Sequence, residues 1–285
     1  MSVGALIDLT RCIGCRSCQV ACKSWNDNPG EQTTFWGAYD NPPSLTPITW
    51  SLVKFAEVEV KGAIKLVMSK IQCMHCLNPA CIAVCPQQVY QKEENGAVTV
   101  DSGKCIGCQN CMKVCPFGVP HINWVDNPNL AFVNVEPQMT KCVFCFDRIS
   151  NGMEPACVKA CPTDALTFGD RDDLLVEAKK RMAKFPDKYV DHIYGEKEVG
   201  GTAWMYLSPV PFEALGFASL PVEPIDVSQL KPSYLYPGIV NEREPVSPVN
   251  IGVSSGLLGL LAGVASIIAL RQLRMKKSDV EVPEE

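Results

Sequence analysis

The segment from Trp50 to Met68 is rich in β-branched and other apolar residues and is broken at its middle by Lys61-Gly62, so it reads as a β-hairpin. Asn95-Gly96 ahead of Ala97-Val98-Thr99-Val100 predicts a second turn into a strand. The period then changes. Leu174, Leu175, Ala178, Met182 and Phe185 recur at helical spacing over 170–185, with Asp170 placed to cap the first turn and Pro186 to stop the last. Residues 208–248 are rich in proline and follow neither period, so they read as an extended arm lying across a partner. Val249 to Leu270 is a run of 22 residues without a charge. At about 1.5 Å per residue it is long enough to cross a bilayer core of about 30 Å. Gly252, Gly256, Gly259 and Gly263 form a stripe along it that lets another helix come close. Arg271, Arg274, Lys276 and Lys277 follow, and the positive-inside tendency puts 271–285 in the cytoplasm and everything before the span on the outer face.

Cysteine changes this picture most. The chain holds 16 cysteines, and they fall into four sets of four. These are Cys12, Cys15, Cys18, Cys22; Cys73, Cys76, Cys81, Cys85; Cys105, Cys108, Cys111, Cys115; and Cys142, Cys145, Cys157, Cys161. The last three sets end in Cys-Pro. Three cysteines on a tight loop bind three corners of an iron–sulfur cubane, and the fourth points away to a second cubane, as in the bacterial ferredoxin run. The gap from Cys85 to Cys105 is short and that from Cys22 to Cys73 long, so sets two and three pair with each other and sets one and four pair around them. Exchanging fourth cysteines predicts four [4Fe–4S] clusters. Cluster 1 uses Cys12, Cys15, Cys18 and Cys161; cluster 2 uses Cys22, Cys142, Cys145 and Cys157. Cluster 3 uses Cys73, Cys76, Cys81 and Cys115; cluster 4 uses Cys85, Cys105, Cys108 and Cys111.

The expected fold class is α+β: two nested ferredoxin-like modules of two clusters each, a C-terminal extension and a single transmembrane helix. Residues 1–72 are read as the first half of module A with the hairpin inserted, 73–135 as module B and 136–170 as the second half of module A. Residues 171–248 form the C-terminal helix and arm, 249–270 the transmembrane helix and 271–285 the cytoplasmic tail. Disulfides would suit a small secreted chain, but this one is long enough to need no staples. Structural zinc favours two separated Cys-x2-Cys pairs, which is not this pattern. A zinc-stabilised, membrane-tethered scaffold remains the alternative from another class, separated by an iron and acid-labile sulfide assay. A free-standing enzyme would need an open metal site or an acid–base set, and neither is apparent.

The formal charge of −5 gives no support for nucleic-acid binding. Basic residues flank the sets: Arg11, Arg16 and Lys23; Lys70; Lys104 and Lys113; Lys141, Arg148 and Lys159. Cations favour the reduced cluster, and Lys159, held between Cys157 and Cys161, is the one singled out to raise a potential; for most of the others a solvated surface is the better reading. His75, inside Cys73-Met-His-Cys76, and His121 are read as structural, because the cysteines already fill every iron site; Trp25, Trp36, Trp50, Trp124 and Trp204 are read as core or interface residues. The residues from Met1 to Asp8 show no basic region, long apolar run or twin arginine. An outer-face location would then require export as the passenger of a partner that bears the signal.

The stretch from Leu6 through Cys22 with Trp25-Asn26-Asp27 resembles the first motif of the iron–sulfur β subunit of membrane-bound formate dehydrogenases. Tyr39-Asp-Asn-Pro42, Cys73-Met-His-Cys76, Glu154 to Thr163, and Val199-Gly-Gly-Thr202 with Met205-Tyr206 are similar to that family as well. The resemblance implies an electron-transfer subunit without catalysis of its own. It would stand between a molybdenum- or tungsten-pterin subunit that oxidises formate and a cytochrome b-type subunit that reduces quinone. It also implies that cluster 1 is the first acceptor, that sets two and three lie toward the membrane haem, and that the catalytic subunit carries the twin-arginine signal. His192 to Glu198 and Pro209 to Gly216 resemble the equivalent subunits of membrane-bound nickel–iron hydrogenases, the alternative partner.

Overall fold

In the computed structural model, residues 2–127 and 135–229 are described. Strand β1 (Val3–Asp8) opens the chain, and Ala5, Leu6 and Ile7 are all buried. An unbroken apolar run suits a central strand covered on both faces. Helix α1 (Ser17–Trp25) follows, then the hairpin of β2 (Ser51–Val60) and β3 (Ala63–Gln72), turning at Lys61-Gly62 where both residues have positive φ. The single turn α2 (Ala80–Ala83) leads to β4 (Tyr90–Lys92), paired through the Asn95-Gly96 turn with β5 (Val98–Val100). Next come α3 (Asn110–Val114) and the pair β6 (His121–Asp126) and β7 (Val135–Thr140). The short α4 (Phe146–Ile149) and α5 (Ala156–Lys159), β8 (Leu166–Asp170), α6 (Arg171–Lys184) and β9 (Trp204–Leu207) complete the described elements of regular structure apart from short 3₁₀ turns.

One three-stranded sheet joins the two ends of this order. Strand β1 lies between β8, antiparallel, and β9, parallel. Helix α6 starts where Asp170 Oδ1 accepts the backbone N–H groups of Asp172, at 2.9 Å, and Asp173, at 3.4 Å. That is an ordinary N-cap, strengthened by acidic residues in the first turn and basic ones in the last. Leu174 and Ala178 bury against Leu6, Met205 and Leu207 of the sheet.

Four sets of elements position the cysteines. Helix α1 packs against α5, and α2 against α3. The helix that carries Cys157 of set four thus meets the helix that carries Cys18 and Cys22 of set one, and the helices with Cys81 of set two and Cys111 of set three meet separately. Set two is tied to the sheet, because Ala203 N–H and Trp204 N–H donate to Met74 O and Leu77 N–H to Gly201 O. Gly195 has a positive φ, and a Cβ there would lie 2.4 Å from Trp204 O, so no larger residue fits this joint.

The expected arm differs in its first part. Val210 and Phe212 lie in the main core, and the Val199 and Gly200 N–H groups bond Pro221 O and Val222 O. Apolar residues placed among the prolines drive this segment back onto its own chain instead of leaving it to cover a partner. The rest of the arm, the apolar run at 249–270 and the tail at 271–285 lie outside the described residues. Among the described residues no helix is long and apolar enough to cross a membrane.

Candidate metal centres

Each Cys-x2-Cys loop bends by the same device. The residue before the second cysteine has positive φ in all four: Gly14 (68°), His75 (49°), Gly107 (73°) and Phe144 (60°). Glycine adopts this conformation freely; the other two must be held in it. His75 and Phe144 are both buried and stack on each other at 4.9 Å. His75 Nδ1 accepts the Val98 N–H at 2.9 Å, and Phe144 also meets Phe168 and Trp204. The Cys-Pro ends share a turn too, with positive φ at Gln88, Gly118 and Asp164, three residues after each last cysteine. Proline presets the second position of such a turn.

All sixteen cysteines are free thiols. They do not stay in their sequence sets. Burial pushes the Cys12 thiol up, and the neighbouring Cys161 and Cys15 add to this. Burial takes Cys18 up to about 12, with Cys157, Cys12 and Cys161 contributing. Cys22 is likewise pushed up to about 12 by burial, and its thiol neighbours are Cys157, Cys145 and Cys18. Cys22, Cys142, Cys145 and Cys157 line one internal cavity with Ser51, Lys70 and Trp204. Cys76 is raised by burial and then by Cys73, Cys115 and Cys81. Cys105 is raised by burial and by Cys108 and Cys85, and Cys111 is taken up to about 12 by burial with Cys108, Cys105 and Cys85 nearby. Thiols of different sets thus neighbour one another: Cys161 by Cys12, Cys157 by Cys22, Cys115 by Cys76 and Cys85 by Cys105.

The donor chemistry fits iron–sulfur cubanes. Burial that pushes these thiols up disfavours the thiolate, and bound iron would supply the charge that favours it. Among the described residues no three His, Cys, Asp or Glu groups converge closely enough for one metal ion. A zinc tetrahedron would need sulfurs about 3.8 Å apart, given its metal–sulfur bond length. Backbone N–H groups of Val89, Gly107 and Phe144 donate to Cys85, Cys105 and Cys142 Sγ, each at 3.4 Å. Ser51 Oγ and Trp204 Nε1 at the internal cavity and Asn110 Oδ1 are buried without a partner among the described residues, and the Tyr90 hydroxyl bonds the Cys111 thiol. Unpaired buried hydroxyl and indole N–H groups at a sulfur-lined space are suited to donate to cluster sulfur.

The cations divide unexpectedly. Lys159 is exposed on the outward side of α5, because the single turn that buries Cys157 and Val158 turns the next residue to solvent. It is not the cation held against a centre. Lys23 donates to Pro29 O and Ile48 O, Arg11 to Asp164 O, and Lys104 pairs with Asp101, which fits a supporting or surface role. Lys70 and Lys141 are the buried ones. Lys70 sits in the cavity lined by Cys22, Cys142, Cys145 and Cys157, and Lys141 donates to Val98 O and Cys142 O. Both were among the flanking basic residues, but sequence reading gave neither a special role. The signal for Lys70 was its place between the expected hairpin, ending at Met68, and the ligand set that opens at Cys73, with polar Ser69 and Gln72 beside it. His121 Nδ1 contacts Val119 O at 2.7 Å, and His192 Nε2 contacts Glu198 Oε1 at 2.5 Å. Of the tryptophans, Trp204 is fully buried, while Trp25, Trp36 and Trp124 keep large exposed faces.

Sixteen free cysteines whose thiols neighbour one another across the sets of one mixed α and β chain define an iron–sulfur electron-transfer protein. Residues 64–171 and residues 11–89 each match a 4Fe-4S dicluster domain. The chain is 40% identical over 230 residues to the iron–sulfur subunit of the nitrate-inducible formate dehydrogenase of Escherichia coli K12, covering 79% of this chain and 75% of that one. It is 37% identical to the formate dehydrogenase iron–sulfur subunit of Haemophilus influenzae, covering 80% and 72%. The chain belongs to the family of formate dehydrogenase iron–sulfur subunits, and its cofactors are four [4Fe–4S] clusters. A protein of Nitratidesulfovibrio vulgaris is 42% identical over 217 residues, and there the chain spans only 56% of the relative's length. The hydrogenase-2 operon protein HybA of Escherichia coli O157:H7 is 35% identical, covering 77% of this chain and 74% of that one.

Proposed function

We propose that this chain conducts electrons from a molybdopterin formate dehydrogenase subunit to a cytochrome b-type membrane subunit that reduces quinone, with clusters 1 to 4 used in that order. Each cluster, when bound, takes up and returns one electron. The ligands are those of the exchanged arrangement: Cys12, Cys15, Cys18, Cys161; Cys22, Cys142, Cys145, Cys157; Cys73, Cys76, Cys81, Cys115; and Cys85, Cys105, Cys108, Cys111. One observation carries the reading. The thiol groups neighbour one another in a row: Cys157 acts on Cys18, Cys73 on Cys142 and Cys111 on Cys81. A row with two ends is what a wire between two partners requires. The meeting of α1 with α5 and of α2 with α3 supports the nested division into 1–72 with 136–170 and 73–135. The apolar run 249–270 and its basic flank support a single membrane anchor, with the clusters on the outer face and 271–285 in the cytoplasm.

Anaerobic purification of the full chain from membranes tests this. About 16 iron and as many sulfide per chain are expected, with a molybdopterin subunit and a haem subunit in the same complex. A zinc protein without sulfide overturns the wire. Recovery of a nickel–iron large subunit instead would favour the second reading, which the similarity to HybA supports. Protease added to intact spheroplasts should cut the cluster domain; protection would reverse the topology.

A further inference from the structure

Lys70 is 1% exposed and has no carboxylate partner among the described residues. An unpaired buried ammonium costs several kcal/mol in a protein interior, so something must compensate it. Within the chain its Nζ donates to Gln72 Oε1 at 2.6 Å and lies 4.6 Å above the ring of Trp204. Gln72 is itself held by Tyr206 Oη at 2.8 Å, and that hydroxyl donates back to Lys70 O at 2.9 Å. A neutral amide and an aromatic face orient the ammonium but supply no full negative charge. The cavity beside it is lined by Cys22, Cys142, Cys145 and Cys157. Its thiol neighbours are Cys157, Cys142 and Cys22 of one group and Cys18 of the other. The lysine arrives on β3, the second strand of the hairpin that separates the first two cysteine sets.

We infer that Lys70 is a redox-positioning residue whose fixed charge compensates the added electron on cluster 2 and, more weakly, on cluster 1. The inference rests on the cluster assignment above. A cation close to a cluster stabilises its reduced, more negative state and so raises its potential. Trp204, with its unpartnered indole N–H, and Gln72 act through the same spot by holding Nζ in place.

The test is an EPR-monitored redox titration of the full-length protein in its complex, comparing wild type, Lys70→Met and Gln72→Glu. The methionine keeps the volume and removes the charge. The glutamate is isosteric with Gln72 and neutralises the ammonium without moving it. In both variants the reduced-to-oxidised ratio of one centre, read at the wild-type midpoint, should fall at least tenfold, a shift of about 59 mV for a one-electron couple. A second centre should fall less, and two should stay unchanged. Unchanged centres, or an equal shift of all four, overturn the inference. If Lys70→Met fails to load clusters, Gln72→Glu decides alone; if neither loads while wild type does, the residue is structural and the inference falls. Wild type without four centres would instead overturn the cluster assignment itself.

Discussion

The surroundings of Cys22, Cys142, Cys145 and Cys157 differ from those of Cys85, Cys105, Cys108 and Cys111, although both groups contain a Cys-x2-Cys loop that bends at a positive φ. The first is deep, walled by Phe144 and Trp204, and has a buried ammonium. In the second, the charges acting most on Cys105 and Cys111 are other thiols, and the polar neighbours are the Tyr90 hydroxyl and backbone N–H groups. A full charge and a set of dipoles both stabilise an added electron, but charge-assisted contacts are roughly twice as strong. The difference teaches that spacing sets which sulfurs bind, while neighbours far away in sequence set how readily each centre is reduced.

The largest effect expected is loss of a whole centre, and it tests which sulfurs share one. Cys161→Ala should abolish the same EPR signal as Cys15→Ala, and Cys22→Ala the same as Cys145→Ala. If Cys22→Ala silenced the Cys15 centre instead, the groups would follow the sequence sets and the comparison would collapse. Next is the wall of the deep group. Phe144→Ala should cost about 3–5 kcal/mol in denaturant unfolding, because a buried ring with three aromatic neighbours is lost. Gly107→Ala beside the other group should cost less, about 1–3 kcal/mol of backbone strain at φ 73°, with added crowding 2.9 Å from the Trp124 ring.

Acidity acts on both groups alike. Cys18, Cys22 and Cys111 are pushed up to about 12 by burial, so each must release a proton when iron binds. Iron and sulfide uptake by the stripped chain should therefore increase as pH rises from about 7 to 9; uptake independent of pH would mean the thiols are already ionised. Smaller again is Tyr90→Phe. It should lower the potential of the shallower centre by less than Lys70→Met lowers the deep one, with stability changing by about 1 kcal/mol or less, since the hydroxyl makes a single hydrogen bond, to the Cys111 thiol. Smallest is Lys159→Met. Its side chain faces water, so titration should find all four potentials unchanged and stability within about 0.5 kcal/mol.

Much of this was readable from local pattern. The hairpin turn at Lys61-Gly62, the strand after Asn95-Gly96 and the capped helix ending before Pro186 lie where their residues put them, because turns and caps are decided by a few neighbours. The bends at His75 and Phe144 were not legible. Neither residue favours positive φ, and they hold it only because each is stacked on the other across 69 residues of chain. The return of residues 208–222 to the core was hidden by their prolines, which mask Val210 and Phe212 as core residues.

By itself, the order of residues determined the number of sulfur donors, their division into loops and single reaching cysteines, and so the iron–sulfur chemistry, because ligand loops are local geometry. Only the tertiary structure decided which charges meet the centres. Lysines at 70, 141 and 159 look alike along the chain, yet the first two are enclosed and the third faces solvent. Burial depends on which distant strands and helices close over a side chain, and nothing within a few residues of a lysine specifies that.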